Sequence, residues 1–195
     1  DRALSRGLAV SGMYAYGLGE GRLCIFDISS PSSPYLAAAL ELPCAASPCD
    51  WYDNMGIVVR APYAYVSGTK WNGDSTRATL TLIDVSDPFK PAVVSQLVCA
   101  FRASHFGKPE LSGDRLYMAV LHYPQETGDG QAGLRIIDIS DAKNPKEIVI
   151  AVVPENSYAR NVLVRGNHAY LSGDKLRVID VSNPFSPFIV SQGNF

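Results

Sequence analysis

The sequence predicts an all-β fold built from four copies of one four-stranded antiparallel unit. The pattern Leu-x-x-x-Asp-x-Ser-x-x-x-x-Pro occurs four times, at residues 23–34, 80–91, 134–145 and 176–187. Before each copy lie two short β-prone runs that are separated by a two-residue break. No segment sustains the apolar period of a helix. Because repeated four-stranded units that stack face to face form a β-propeller, we expect a propeller of four-stranded antiparallel blades.

Each unit is expected to contain four strands, which we name A to D in chain order. The A–B breaks fall at Gly12-Met13, Ala61-Pro62, Gly113-Asp114 and Gly166-Asn167. Strand C carries the leucine and the aspartate of the repeat and is apolar on both faces. In the fourth copy Leu176 and Val178 point one way, while Ile179 and Val181 point the other. A strand of this kind needs a neighbour on each side, which stacked blades provide.

The predicted blades cover about residues 7–43, 55–99, 105–153 and 159–192 of a single domain, 1–195. The alanine-rich segment 36–42 could form a helix, but its place in the repeat predicts strand D. The chain enters at strand A of the first blade and leaves after strand D of the fourth. This entry and exit suit four consecutive blades of a larger ring, which we expect; the alternative is that the four blades close into a ring by themselves.

Composition restricts the classes of partner. Of the 195 residues 47% are hydrophobic and 18% are charged, which is typical of a globular domain. The net charge of −2 provides no basic field for nucleic acid. No apolar run approaches the roughly 20 residues that a membrane-spanning helix needs. Because the chain does not begin with methionine, we interpret it as a mature or excised segment.

The pattern Leu-x-Ile/Val-Ile-Asp-Val/Ile-Ser followed by proline resembles the repeat of the LVIVD-repeat β-propeller family. The resemblance extends from about residue 7 to residue 192. It implies a propeller fold and, since members occur among secreted and surface proteins of bacteria and archaea, an extracellular, cell-surface or periplasmic location. It implies little about activity, because propellers serve as binding modules and as enzymes.

The aspartate of the repeat is expected to have a structural role. Its carboxylate can accept backbone N–H groups within the C–D turn, and a serine follows it by two residues in every copy. The aspartates are Asp27, Asp84, Asp138 and Asp180. A residue that recurs in every unit serves every unit, so functional residues are sought where the units differ.

The units differ at one end. In an up-and-down blade the B–C and D–A connections leave at one end, the loop face, and the A–B and C–D turns leave at the other, the turn face. The connections expected at 67–78, 122–133 and 43–54 are long and belong to the loop face. The predicted binding residues there are Trp51, Tyr52, Trp71, Tyr123, Tyr158 and Arg160. The alternative is that these rings only pack the loops.

A disulfide is predicted between Cys44 and Cys49. The two cysteines flank the turn-prone sequence Ala-Ala-Ser-Pro in a connection that is expected to be exposed. Two reduced thiols are the alternative. A zinc site would need further ligands nearby, and none has the required spacing.

Cofactors and metals are not predicted, although two weaker candidates exist. If Gly113-Asp114 forms a hairpin turn, His105 and His122 face each other across the strand pair at the channel mouth, where a transition metal or a general base could use them. Asp74 and Asp129 lie in sequences that resemble fragments of calcium loops, but ordinary turns explain them as well.

Three hypotheses about function follow. The first is a non-enzymatic, extracellular or cell-surface interaction module that binds a protein or a carbohydrate through the loop face. The second is an enzyme that uses His105 and His122 together with Arg160 or Asp53. The third is a structural subunit that assembles with other chains or with further blades. No Gly-x-Ser-x-Gly motif and no phosphate-binding glycine loop is present in the sequence.

Overall fold

The structure is a computed structural model that describes residues 7–19, 21–43, 56–71, 76–122 and 130–193. All regular structure in these ranges is β-strand, arranged as four units. Unit one contains β1 (Gly7–Ser11), β2 (Tyr14–Gly19), β3 (Arg22–Asp27) and β4 (Tyr35–Glu41). Unit two contains β5 (Gly56–Arg60), β6 (Tyr63–Trp71), β7 (Thr76–Asp84) and β8 (Ala92–Phe106). Unit three contains β9 (Glu110–Ser112), β10 (Arg115–His122), β11 (Gln131–Asp138) and β12 (Lys146–Asn156). Unit four contains β13 (Ala159–Arg165), β14 (His168–Gly173), β15 (Leu176–Asp180) and β16 (Phe188–Gly193).

Every unit is an antiparallel meander, as the repeat predicts. Units one and four are separate four-stranded sheets, with the strand orders β1-β2-β3-β4 and β13-β14-β15-β16. The segment 36–42 belongs to a strand, β4, and not to a helix. Three of the predicted A–B breaks are turns that place a glycine at positive φ, namely Gly12, Gly113 and Gly166. Over the described ranges no helix is long and apolar enough to cross a membrane.

Units two and three share a strand. The body of β8 pairs with β7, and its last residues, 103–106, pair with β10, so that the two units form one eight-stranded sheet. The strand runs through residues 99–105, where the sequence suggested a boundary between blades. Only β9 remains as a short separate piece of strand A in unit three, paired with β10.

The connections of the loop face are shorter than the sequence predicts. Strands β6 and β7 stay paired as far as Trp71 and Thr76, within the loop expected at 67–78. Strands β10 and β11 stay paired as far as His122 and Gln131, within the loop expected at 122–133. The threonines and the tryptophan of the first hairpin favour strand, which accounts for the difference. The hairpins of units two and three thus extend further than those of units one and four.

The core lies between neighbouring units. The face of unit one that carries Tyr16, Leu23 and Ile25 packs against the face of unit two that carries Ile57 and Ile83. Equivalent clusters join units two and three, and units three and four. Strand C therefore has two buried faces in the central units, as its sequence predicts.

In unit four only one face of strand C is covered within this chain. The leucine that opens strand C is fully buried as Leu23, Leu80 and Leu134, whereas Leu176 is 38% exposed because no further unit covers it. On the opposite side of the stack, Leu8 of unit one is 66% exposed. The four units consequently form an open arc that presents an uncovered sheet face at each end.

The repeated aspartate has the predicted structural role. In each C–D turn its Oδ1 accepts the backbone N–H of the serine two residues later, at 2.8 to 2.9 Å. The hydrogen bonds that these serines donate hold the pKa of all four carboxyl groups below the ordinary value. The four pairs are Asp27 with Ser29, Asp84 with Ser86, Asp138 with Ser140, and Asp180 with Ser182.

Replacing Asp84 by alanine is expected to lower the melting temperature by about 2–4 °C at neutral pH, because the free energy of unfolding loses the net contribution of one hydrogen bond. Because folding lowers the pKa of Asp84, its contribution is present above the unfolded-state pKa and disappears as the pH falls through the folded-state pKa. The difference from the wild type should therefore shrink below about pH 4. Thermal denaturation across a pH series measures it. Glu41→Ala, which removes the same charge from an exposed ion pair with Arg22, is the control and should change little. An equal effect of both substitutions would contradict the turn role.

Candidate interaction surface

The described part of the loop face includes the connection between units three and four and the start of β13, which together hold Tyr158 and Arg160. Several connections of this face lie outside the described residues, including those that hold most of the predicted binding residues. Positions 44–55, 72–75 and 123–129 are outside, and with them Trp51, Tyr52, Tyr123, Asp53, Asp74, Asp129 and the predicted disulfide between Cys44 and Cys49. Trp71 is the last residue of β6. Tyr158 and Arg160 are described in full.

The structure brings Tyr158 and Arg160 together. The guanidinium carbon of Arg160 lies 5.4 Å from the centroid of the Tyr158 ring, which is a cation–π contact. Tyr158 is 45% exposed and Arg160 is exposed. The sequence predicts both residues as separate binding residues. Their contact is visible only in the structure, where they flank Ala159, the first residue of β13. Together they offer a flat ring with an adjoining cationic group, which we name the Tyr158–Arg160 platform.

An ion pair between Asp174 and Arg177 is hydrogen-bonded to the backbone of this platform. Arg177 is fully buried, and its Nη1 and Nη2 donate to Oδ1 and Oδ2 of Asp174 at 2.9 and 3.0 Å. The Asp174 carboxylate also accepts the backbone N–H of Tyr158, and the Asp174 N–H donates to the Tyr158 carbonyl, both at 3.3 Å. The hydrogen bonds from Arg177 outweigh burial and lower the pKa of Asp174, so the carboxylate is ionised at neutral pH. We name this ion pair the Asp174–Arg177 clamp.

Two glycines let the backbone of the platform pack closely against its neighbours. A Cβ on Gly173 would lie 1.9 Å from the carbonyl oxygen of Tyr158, and one on Gly107 would lie 1.5 Å from that of Arg160. Only hydrogen fits at either position without backbone movement. Both carbonyls are thus fixed against β14 and against the segment before β9, and the platform has little freedom to rearrange.

Sequence reasoning missed Asp174, Arg177 and Arg135. Arg135 holds the strand position in unit three that Arg177 holds in unit four, and it is likewise fully buried. Its Nε donates to Oε2 of Glu147 across the β11–β12 pair. The signal was available in the sequence, because the second position of strand C is Cys24 or Thr81 in units one and two but arginine in units three and four.

The two candidate histidines are not cross-strand partners. His122 of β10 is paired with Ala103 of β8, and His105 falls in the register shift between the partners of Val120 and Leu121. The hairpin register predicted from Gly113-Asp114 holds only along β9, and the segment 107–109 interrupts it because Pro109 cannot donate to the ladder. Among the described residues no group of three or more His, Cys, Asp or Glu side chains is placed to hold a metal ion.

Comparisons with known proteins agree with this architecture. A family model described as the LVIVD repeat matches residues 4–40, 53–97, 127–151 and 156–194. A comparison with curated proteins finds no match.

Two solved structures have similar folds. The structure of YjhT has a TM-score of 0.61 at 11% identity, with 98% of this chain and 66% of that chain covered. The WD40 domain of SCAP from fission yeast has a TM-score of 0.52 at 12% identity, with 96% of this chain and 41% of that chain covered. The chain therefore spans less than two thirds of the length of either structure. WD40 domains are β-propellers, and the predicted fold class is confirmed.

Proposed function

From the premise that this chain belongs to the LVIVD repeat family, we propose that it is a non-enzymatic, extracellular or cell-surface interaction module. It binds a protein or a carbohydrate through the loop face. The observation that carries the proposal is the Tyr158–Arg160 platform, where an exposed ring and a cation lie 5.4 Å apart on a backbone that the Asp174–Arg177 clamp holds in place. Tyrosine and arginine are enriched in the energetic centres of interfaces, since they offer large contact area with directional hydrogen bonds.

Further support comes from the shape of the sheets. The paired strands of units two and three extend beyond those of units one and four toward the loop face. Of the remaining predicted aromatic residues, Trp71 ends one of these strands and Tyr123 follows another in the sequence. A rigid hairpin that projects from the sheet can present side chains at lower entropic cost than a long loop. The predicted disulfide between Cys44 and Cys49 supports a location outside the cytoplasm, because disulfides persist in oxidising compartments.

The test of this proposal is a binding screen on a glycan array and on a panel of cell-surface proteins, followed by variants of the platform. Tyr158→Ala and Arg160→Ala are each expected to weaken binding of the partner found by about tenfold or more. Phe185→Ala removes an aromatic side chain that is 72% exposed on the turn face, and it should leave the affinity unchanged. Melting temperatures of the three variants control for folding. Loss of binding in Phe185→Ala with full binding in Tyr158→Ala would place the interface on the other face and contradict the proposal.

A second candidate function is structural, namely packing against further blades of the same kind. The uncovered faces favour it: Leu176 and Val190 of unit four are 38% and 52% exposed, and Leu8 and Val10 of unit one are 66% and 60% exposed. At the three internal junctions the equivalent faces bury each other. In such an assembly Leu176 would be buried, and its substitution would then destabilise the protein in a concentration-dependent manner.

A further inference from the structure

The turn face contains a cavity of about 430 Å³ at the junction of units two and three. It is bordered by the A–B turns of both units and by the C–D turn of unit three, at positions 60–63, 65, 114 and 139–143. We propose that this cavity is a pocket for an aromatic side chain of a partner protein. The site lies on the face opposite the Tyr158–Arg160 platform and does not depend on the function proposed for that platform.

The repeat itself explains why the cavity exists. At the junction of units one and two, Phe89 from the C–D turn of unit two packs edge-on against Tyr14 of unit one, with ring centroids 6.4 Å apart and an interplanar angle of 87°. Tyr63 holds the position of Tyr14 in unit two, since both pair with the aspartate of strand C. The position of Phe89 is held by Lys143 in unit three. The second junction therefore keeps the tyrosine and lacks the ring that packs on it.

The two turns share their backbone hydrogen bonds, so the side chains at positions 89 and 143 can be compared directly. The N–H of Phe89 donates to Oδ1 of Asp87 at 3.0 Å, and the N–H of Lys143 donates to Oδ1 of Asp141 at 2.9 Å. The following N–H donates to the carbonyl of the same aspartate at 3.0 Å in both turns. An aromatic ring that enters the cavity from a partner can thus meet Tyr63 as the Phe89 ring meets Tyr14.

The walls of the pocket are held by contacts across the junction. Ala142 is buried, and its carbonyl accepts a hydrogen bond of 2.8 Å from the hydroxyl of Ser95 in unit two. Arg60 of unit two donates to the carbonyl of Gly113 in unit three. Tyr65, which lines the pocket, is only 2% exposed. A pocket that is already assembled loses little entropy when a side chain enters it.

The charged residues at the rim of the pocket indicate which groups should flank the aromatic ring of the partner. Lys143 and Arg60 provide cations, and Asp114 and Asp141 provide carboxylates, so the rim can pair with both donors and acceptors of a peptide backbone. One carboxylate oxygen of Asp141 is already engaged by the Lys143 N–H, and Asp114 lies 3.9 Å from Arg60. The Lys143 ammonium, which is exposed, is the group most available to a partner. The best-fitting occupant is a phenylalanine or tyrosine of a peptide segment with a carbonyl or carboxylate beside it.

The experiment titrates the protein with N-acetyl-phenylalaninamide and follows the backbone amides of residues 60, 61, 63 and 139–143 by NMR. The wild type should show saturable shifts at these amides. Lys143→Phe supplies the missing ring from within the chain and should weaken binding of the probe at least about tenfold. N-acetyl-leucinamide, which lacks a ring, should bind at least about threefold more weakly than the aromatic probe. Absence of saturable shifts in the wild type, undiminished binding by Lys143→Phe, or equal binding of the two probes would each overturn the proposal.

The first junction provides the matched gain of function. Phe89→Lys removes the ring that packs on Tyr14 and should create a second site, so that amides of residues 12–14, 86, 87, 89 and 90 also respond to the aromatic probe. The double variant, Phe89→Lys with Lys143→Phe, should respond at the first junction and not at the second. Thermal denaturation of each variant confirms that it is folded. A Phe89→Lys protein that is folded but shows no new responsive amides would contradict the assignment of the pocket to the missing ring.

Discussion

Replacing Leu134 by alanine is expected to lower the free energy of unfolding by about 2–5 kcal/mol, the range for truncating a fully buried leucine. Leu134 opens strand C of unit three and belongs to the cluster that joins units three and four. Its removal leaves a cavity between two sheets, and unit three can relax only in part to fill it because its other face is packed against unit two. Equilibrium denaturation in urea measures the change.

Leu176→Ala is the matched control, since Leu176 holds the same position of the repeat in unit four. At 38% exposure it should cost about 1 kcal/mol or less, at every protein concentration. A cost equal to that of Leu134→Ala, growing with protein concentration, would show that another chain covers this face and would support the structural candidate. A small effect of Leu134→Ala would contradict the packing between units three and four.

Replacing Gly173 by alanine is expected to destabilise the protein by about 3 kcal/mol, because the new methyl group would meet backbone atoms that cannot rotate away. Its Cβ would lie 1.9 Å from the carbonyl oxygen and 2.7 Å from the carbonyl carbon of Tyr158. The start of β13 would have to shift, and the Tyr158–Arg160 platform would shift with it. Thermal denaturation reports the loss of stability.

Gly193→Ala in β16 of the same unit is the control for Gly173→Ala. No atom lies within 4 Å of a Cβ at Gly193, so the substitution should be neutral or slightly stabilising through the lower entropy of the unfolded chain. If the proposed interaction surface is correct, Gly173→Ala should also weaken partner binding under conditions in which it is still folded, and Gly193→Ala should not. Equal stability of the two variants would contradict the close approach of Tyr158 to β14.

The periodic part of the fold could be predicted from the sequence because it rests on local chemistry. The hydrogen bond from Ser182 to Asp180 spans two residues, and the turns at Gly12 and Gly166 need a backbone conformation that glycine provides. Each of these signals recurs in several units, so an error in one unit is corrected by the others. The order and pairing of the strands followed from them.

The aperiodic part could not be predicted, because it depends on contacts between residues far apart in the chain. The Asp174–Arg177 pair has the local spacing of an ordinary turn, and only its hydrogen bond from the Tyr158 backbone makes it a clamp. The register shift between the partners of Val120 and Leu121, where His105 falls, depends on where β8 meets β10. The lysine at position 143 was visible in the third copy of the repeat, but the cavity beside it appears only when Tyr63 of the preceding unit is in place.

The strand that units two and three share has a consequence for cooperativity. In a linear array of repeats each unit contacts only its neighbours, and a terminal repeat can open while the rest stays folded. Strand β8 bonds to β7 along its body and to β10 at its end, so neither central unit can detach without breaking main-chain hydrogen bonds of the other. We therefore expect the two central units to unfold as one block, with units one and four opening first. The extended hairpins of the loop face would then belong to the part of the array that opens last.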